Sequence, residues 1–287
     1  MYIAIATPKD KKEFSQLWQK CFNCDEEFFE LFYNKCYPHS RTYFVIENSR
    51  IVSCASILKS KFISVTPSNG GYLYGVCTHE EYRGRGFAKA VIEFAMEESL
   101  KWGLDYIVTR PATKDLFQFY RNIGFNHTLY RRKITLPLPS STEKIQIKEL
   151  KYNTILPIRR YFLQKNYFAW NPQYYDYLLG YLKNSNGIAL EFHNNRYLIG
   201  HPDFEDKNCF NILELGHPRT SNLRFPTLYY AENIIKELYP DVSKITMYIP
   251  PMIHYNDIED GETEEFVVIK SDSITFNDES FFNFTAE

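Results

Sequence analysis

The residues of this chain best suited to chemistry are Arg83-Gly84-Arg85-Gly86-Phe87-Ala88. An apolar run over residues 72–77 precedes them and predicts a buried strand, with His79, Glu80 and Glu81 in a short turn between. After them Ala90, Val91, Phe94, Ala95 and Leu100 recur at helical spacing up to Trp102, where Gly103 suits a helix end. A glycine-bearing loop therefore joins a strand to the N-terminus of a helix. Such a loop aims free backbone N–H groups at one point, where the helix dipole also favours negative charge. Glycine lets the backbone approach a bulky phosphate, and Arg83 and Arg85 add positive charge and donors. The chemistry this predicts is anion binding, with a pyrophosphate as the natural occupant.

Two other phosphate loops do not fit. The Gly-Lys-Ser/Thr of a P-loop is absent, and a dinucleotide fingerprint would need glycine where Lys89 stands. The loop resembles the R/Q-x-x-G-x-G/A signature of the GNAT-superfamily N-acetyltransferases, with Arg83, Gly86 and Ala88 at its three fixed positions. Taken alone, the same residues also suit a glycine-rich turn without a ligand. A second segment adds to the resemblance. Residues 113–125 predict a short helix capped by Thr113 or Asp115, with Leu116, Phe119, Tyr120 and Ile123 on its apolar face and Gly124 as its stop. Family members carry such a helix after their fifth strand, with an aromatic-Tyr pair and a closing Gly-Phe, here Phe119-Tyr120 and Gly124-Phe125. The resemblance covers residues 1 to about 137 and is nearest to two-domain members related to the enhanced intracellular survival acetyltransferases.

The resemblance implies acetyl-CoA as the acyl donor, its pyrophosphate held by Arg83, Gly84, Arg85, Gly86, Phe87 and Ala88. It implies that backbone N–H groups of Val76, Cys77 and Thr78 lie near the pantetheine and the acetyl carbonyl. Tyr120 then faces the sulfur as the acid; its other reading is a core tyrosine. Carboxylates beside the motif strand deprotonate the amine in many members, which points to Glu80 and Glu81, or leaves them as solvated turn residues. Cys77 has no identifiable His partner and reads as a packed thiol. The function implied is acetyl-CoA-dependent N-acetylation of a primary amine by direct transfer, and the acidic Asp25-Glu26-Glu27 corner suits a cationic acceptor. The alternatives are a non-catalytic acyl-CoA-binding regulatory module, or an acyltransferase using a longer acyl-CoA or a protein acceptor. Tyr120 argues for turnover, since a sensor does not need it.

The elements that must position these residues fill a chain of 287 residues, long enough for two domains. A net charge of −2 leaves no basic stripe for nucleic acid, and no apolar run reaches the roughly eighteen residues of a membrane helix. No signal-peptide layout follows Met1, so the expectation is a cytoplasmic monomer or homodimer with a small-molecule amine substrate. Cys21-x2-Cys24 with Cys36-x2-His39 has the ligand types of a structural zinc site. Against it, residues 26–34 predict an amphipathic helix with Phe28, Leu31 and Phe32 inward and Asp25 as its cap, so no metal is expected.

The first half predicts the order β-α-α-β-β-β-α-β-α-β: an α/β (α+β) GNAT acyl-CoA N-acyltransferase fold, a mixed central sheet flanked by helices. Residues 67–71 read as a turn, residues 128–136 as the last strand or two, and residues 137–142 as a linker. The expected domains are 1–137, with the acetyl-CoA site, and 138–287, a degenerate GNAT-like repeat that does not bind coenzyme A. At residues 216–224 that repeat lacks the G-x-G pair, and Pro218 removes an amide donor. An unrelated α/β domain is the other reading. The second domain is expected to complete the acceptor pocket with some of Trp170, Tyr174, Tyr175 and Tyr177, or with a tail of Phe281, Phe282 and Phe284; the other reading is a domain that only stabilises the first or mediates dimerisation.

Overall fold

The structure is a computed structural model, and it describes residues 1–139, 143–163, 166–193, 195–217, 227–249 and 261–276, with Ser280 and Phe282. The elements run β1 (Tyr2–Ile5), α1 (Lys11–Phe22), α2 (Glu26–Lys35), β2 (Ser40–Glu47), β3 (Arg50–Ile63), β4 (Ser68–Thr78), α3 (Phe87–Lys101), β5 (Tyr106–Thr109), α4 (Lys114–Asn122) and β6 (His127–Pro137). They continue β7 (Ile147–Glu149), α5 (Tyr152–Leu163), β8 (Tyr167–Trp170), α6 (Pro172–Asn184), β9 (Ile188–Phe192), β10 (Arg196–Pro202), β11 (Cys209–Gly216), α7 (Tyr229–Leu238), β12 (Lys244–Ile249) and β13 (Glu262–Lys270). Two compact units result. The first is Met1–Thr128 with Phe168–Tyr177 and Val267–Thr275; the second is Leu129–Tyr167, Leu178–Phe266 and Phe276–Glu287. The sequence alone suggests one cut near Pro137, whereas the first unit takes two segments from the far half of the chain.

In the first unit β1, β2, β3 and β4 pair antiparallel in that order, and β4 pairs parallel with β5 through the crossover helix α3. The β2–β3 hairpin turns on Asn48 and Ser49, both at positive φ (49° and 61°), the geometry that matches strand twist. Phe14, Leu17 and Trp18 recur at helical spacing on the buried face of α1. Asp25 Oδ1 accepts the Phe28 N–H at 2.9 Å and caps α2. The centre of the α2 face is Phe29 and Phe32, with Phe28 and Leu31 half-buried at its margins, one residue round from the face the sequence suggests. The partner decides this: Phe29 meets Phe14 edge to face at 5.2 Å. On α3, Val91, Ile92 and Ala95 are fully buried in a core they share with Tyr43, Val45 and Ala55.

Residues 68–71 belong to β4, where the sequence suggests a turn. Gly70 and Gly71 are packing glycines: a Cβ at Gly70 would lie 2.1 Å from the Tyr106 ring, and one at Gly71 2.6 Å from Ile57. The outer neighbour of β5 is not the next strand along the chain. The strand after α4, β6, pairs with β12 in the second unit, with Ile134 opposite Met247. The place beside β5 goes to β13, with Val268 opposite Thr109 and Lys270 opposite Ile107. Val267, Val268 and Ile269 are fully buried, the pattern of a strand covered on both faces. The strand β8, which the sequence does not suggest, pairs with β3.

In the second unit β7, β9, β10 and β11 pair antiparallel, and β11 pairs parallel with β12 across α7. That parallel pair with its crossover helix repeats the arrangement of β4, α3 and β5. Its core holds Leu198, Ile212, Ile234, Ile235, Ile245 and Met247. Arg159 of α5, 1% exposed, donates from Nε to both carboxylate oxygens of buried Glu214 at 2.9 and 3.2 Å, and the Tyr197 hydroxyl donates to the same carboxylate.

Candidate active site

The site begins where β4 and β5 part. They pair only over Gly70–Tyr72 against Tyr106–Val108; β4 then continues to Thr78 beside β3. On that free stretch Cys54 faces Cys77 and Ser56 faces Tyr74, so Gly75 and Val76 together oppose Ala55. This is a β-bulge, and it bends the strand at the mouth of the fork. Gly75 is required twice over: its φ is 61°, and an added Cβ would fall 2.3 Å from the Trp18 ring. The sequence reading passes over Gly75, although an isolated glycine inside a strand pattern is the signal for a bulge.

Past Thr78 the chain makes a short 3-10 turn at Glu80–Tyr82, capped by His79, whose Nδ1 accepts the Glu81 N–H at 3.4 Å. The loop then reaches α3. Gly86 sits at φ 81° and its carbonyl accepts the Ala90 N–H at 3.0 Å, so the helix starts at Phe87. The N–H groups of Phe87, Ala88 and Lys89 consequently have no acceptor within the helix. A Cβ added at Gly84 or Gly86 would meet nothing within 4 Å, so the backbone here borders open space. Arg83 Nε donates to the Thr78 carbonyl at 3.2 Å. Arg85 donates to Glu47 at 3.3 Å, and its guanidinium lies 4.8 Å from the Phe87 ring centre and 5.2 Å from that of Tyr82. Donors, charge and room converge, and they fit a pyrophosphate. Val76, Cys77 and Thr78 lie at the end of the strand that feeds this loop.

Tyr120 is buried on α4, and burial pushes its pKa up to about 12. The Thr109 hydroxyl, which acts on the Tyr120 pKa in the opposite direction, donates to the Leu73 carbonyl at 2.9 Å. The phenol therefore stays protonated at neutral pH. Thr109 carries no mark in the sequence beyond ending a strand. On α4 the buried residues are Phe117 and Tyr120; Phe119 is half-buried and Leu116 is 36% exposed, which corrects the face suggested by periodicity. The Phe125 ring lies 5.2 Å from that of Tyr120. Glu80 and Glu81 are both exposed on their turn. Among the described residues no three His, Cys, Asp or Glu side chains are arranged to hold a metal ion, so Cys21, Cys24, Cys36 and His39 do not assemble into one.

On the α1–α2 side of β4, within the first unit, aromatic rings stack in layers. Trp18 stacks on Phe32 with ring centres 4.5 Å apart, Tyr72 packs on Trp170 at 5.3 Å, and the hydroxyls of Tyr74 and Tyr177 hydrogen-bond at 2.6 Å. Trp170, Tyr174, Tyr175 and Tyr177 are all buried, and burial raises the Tyr177 phenol well above its ordinary range. These aromatics belong to the first unit rather than to a separate second domain. Of the tail, Phe282 is buried with its ring 5.8 Å from that of Phe266; Phe281 and Phe284 lie outside the described residues, as do positions 218–224 of the predicted second loop.

A mixed sheet forked between two parallel strands, with a phosphate-type loop at the head of the crossover helix, defines the acyl-CoA N-acyltransferase architecture. Residues 3–128 match the family model for an acetyltransferase (GNAT) domain. The chain therefore carries a GNAT N-acetyltransferase domain, an enzyme class whose acyl donor is acetyl-CoA. Solved structures share the fold over almost the whole chain. A probable N-acyltransferase from Enterococcus faecalis V583 is 14% identical with a TM-score of 0.73, covering 94% of this chain and 72% of its own. A GCN5-related N-acetyltransferase from Anabaena variabilis is 14% identical with a TM-score of 0.68, covering 93% and 72%. Eis1 from Mycobacterium abscessus is 10% identical with a TM-score of 0.59, covering 94% and 73%. A search of curated protein sequences returns no match.

Proposed function

We propose that the chain transfers an acetyl group directly from acetyl-CoA to a primary amine, with donor binding in the first unit only. The observation that carries this is the open cradle at Gly84 and Gly86, where first-turn N–H groups and two arginines converge. In this reading the pyrophosphate lies on residues 83–88 and the thioester enters the fork beside Val76, Cys77 and Thr78. Direct transfer asks for a neutral amine, a polarised carbonyl and a stabilised leaving thiolate. Tyr120 meets the third demand: its raised pKa keeps a proton at the fork to give to the departing sulfur. Glu80 and Glu81, solvent-exposed just beyond β4, are the proposed bases, acting through water. The second unit is read as a GNAT-like repeat without coenzyme A binding, supported by the matching β11-α7-β12 arrangement. The buried rings of Trp170, Tyr174 and Tyr177 back the acceptor side of β4, and the acidic start of α2 suits a cationic amine. The inferred compartment is the cytoplasm, where six unpaired cysteines stay reduced.

The test is release of free coenzyme A from acetyl-CoA across a panel of primary amines. Tyr120→Phe should lower kcat by about 10²-fold or more with acetyl-CoA affinity unchanged, the effect of losing a general acid. Turnover within about twofold of the parent, under roughly 0.5 kcal/mol of barrier, would make Tyr120 a packing residue.

A further inference from the structure

Cys54 of β3 and Cys77 of β4 are direct cross-strand partners, and their free sulfurs lie 3.3 Å apart. The Cys54 S–H donates to the Gly75 carbonyl at 3.3 Å, which leaves the Cys77 S–H to donate to the Cys54 sulfur. Directly opposed residues of an antiparallel pair have Cα atoms about 4.5–5.5 Å apart, inside the roughly 4.4–6.8 Å that a disulfide spans. The strand register therefore holds the two thiols ready to be joined. We infer that Cys54 and Cys77 are a redox modification site: a hydroperoxide joins them, and the new bond slows acyl transfer by displacing the β4 bulge.

The displacement follows from what flanks the pair. An S–S bond draws the sulfurs from 3.3 Å to about 2.05 Å. Beyond Cys77 the ladder is fastened. Ser53 Oγ donates to the Cys77 carbonyl at 2.9 Å and accepts from the Thr78 hydroxyl at 2.8 Å, and the His79 N–H donates to the Val52 carbonyl at 2.9 Å. Before Cys77 stand Gly75 and Val76, which together oppose Ala55 and leave the ladder irregular. The pull is taken up there, where the pairing is weakest. Gly75 also loses its S–H donor, because a disulfide has no proton to give. The effect on transfer rests on the thioester lying beside Val76, Cys77 and Thr78, as proposed above; formation of the bond does not.

The chemistry balances in two steps. Cys77, 7% exposed against 0% for Cys54, meets the oxidant first. Its thiol gives a proton to water, and the thiolate attacks one oxygen of the hydroperoxide. The O–O bond breaks, the other oxygen leaves as an alcohol or water after taking a proton, and Cys77 becomes a sulfenic acid. The Cys54 sulfur then attacks the Cys77 sulfur, the S–O bond breaks, and water leaves with the Cys54 proton. Two electrons pass from the thiol pair to one peroxide. Burial pushes the Cys77 thiol well above its ordinary range, so the pair rests as two thiols at neutral pH and the bond forms faster as pH rises. A bond of this kind in a reducing compartment is transient and serves sensing rather than structure.

The experiment treats the full chain with hydrogen peroxide, blocks remaining thiols with iodoacetamide, and maps unreduced tryptic peptides by mass spectrometry. The expected product joins residues 51–59 to residues 62–83 and is two hydrogens lighter than its parts. It should form in the parent and in Cys21→Ser, be absent from Cys54→Ser, and revert with dithiothreitol. Coenzyme A release from acetyl-CoA, with an amine the parent accepts, should fall at least about tenfold as the link forms and return on reduction. Cys54→Ser keeps a donor for the Gly75 carbonyl and should hold its rate within about twofold under the same peroxide treatment. A parent chain whose Cys77 is found linked to Cys21, or oxidised without a partner, would overturn the pairing. A fully linked chain with undiminished turnover would overturn its effect on transfer. A parent inactive before treatment would count against the acyl-transfer reading, and the peptide map would still decide the bond.

Discussion

Gly86→Ala separates the backbone cost of the loop from its binding role. Gly86 lies at φ 81°, where a residue with a Cβ is disfavoured by about 1–2 kcal/mol. No atom lies within 4 Å of the new methyl, so no steric clash adds to that figure. At about 2–4 °C per kcal/mol for a domain of this size class, the melting temperature should fall by about 2–8 °C. The effect on binding should be much larger, because the methyl stands in the space a phosphate oxygen must enter to reach the first-turn N–H groups. Losing two charge-assisted hydrogen bonds at about 1.5–3 kcal/mol each removes about 3–6 kcal/mol. That raises the Kd for acetyl-CoA by about 10²- to 10⁴-fold. The assay is calorimetry with two ligands, acetyl-CoA and S-acetylpantetheine, which has the thioester arm but no pyrophosphate. Weakening should be confined to acetyl-CoA. Equal losses for both ligands, or an unchanged Kd for acetyl-CoA in a folded variant, would refute the reading of residues 83–88 as a pyrophosphate cradle.

Thr109→Val removes the hydroxyl that donates to the Leu73 carbonyl and draws the Tyr120 pKa down; kcat should fall while the KM for acetyl-CoA holds, and a parallel rise in KM would show a packing defect instead. Burial raises the Tyr120 pKa, so the protonated donor persists through neutral pH and is lost only as pH rises toward about 12. An alkaline limb in kcat with a midpoint below about 10 that disappears in Tyr120→Phe would contradict this. In the second unit, Glu214→Ala takes the carboxylate from a guanidinium that is 1% exposed and should cost about 3–5 kcal/mol in urea unfolding. The double change Glu214→Leu with Arg159→Met should recover most of that loss. A chain ending at Pro139 lacks β8, Trp170, Tyr177 and β13, all parts of the first unit or partners of its strands, and should be recovered unfolded or aggregated. A soluble, cooperatively melting product would show that those segments are dispensable.

What the sequence by itself determined is the part of the molecule written in short-range pattern. The strand at 72–77, the glycines of the 83–88 loop, the start of α3 and the Tyr120 helix each depend on hydrogen bonds and periodicity within about a dozen residues, and all stand where the sequence puts them. Faces were less legible. On α2 and α4 the buried stripe turns by one residue, because runs such as Phe28-Phe29 and Leu116-Phe117 offer two apolar stripes and only packing across the interface chooses between them. Strand partnership was decided by tertiary structure alone. The two edges of β5 present the same backbone groups, so nothing local says that β13 rather than β6 takes the outer one. The same holds for Phe168–Tyr177, whose aromatic rings find Tyr72 and Tyr74 about a hundred residues earlier because those rings leave a large apolar surface to cover. The Gly75 bulge and the meeting of Cys54 and Cys77 belong to this second class. Each depends on which residue faces which across a sheet, and a register is a property of the assembled strands.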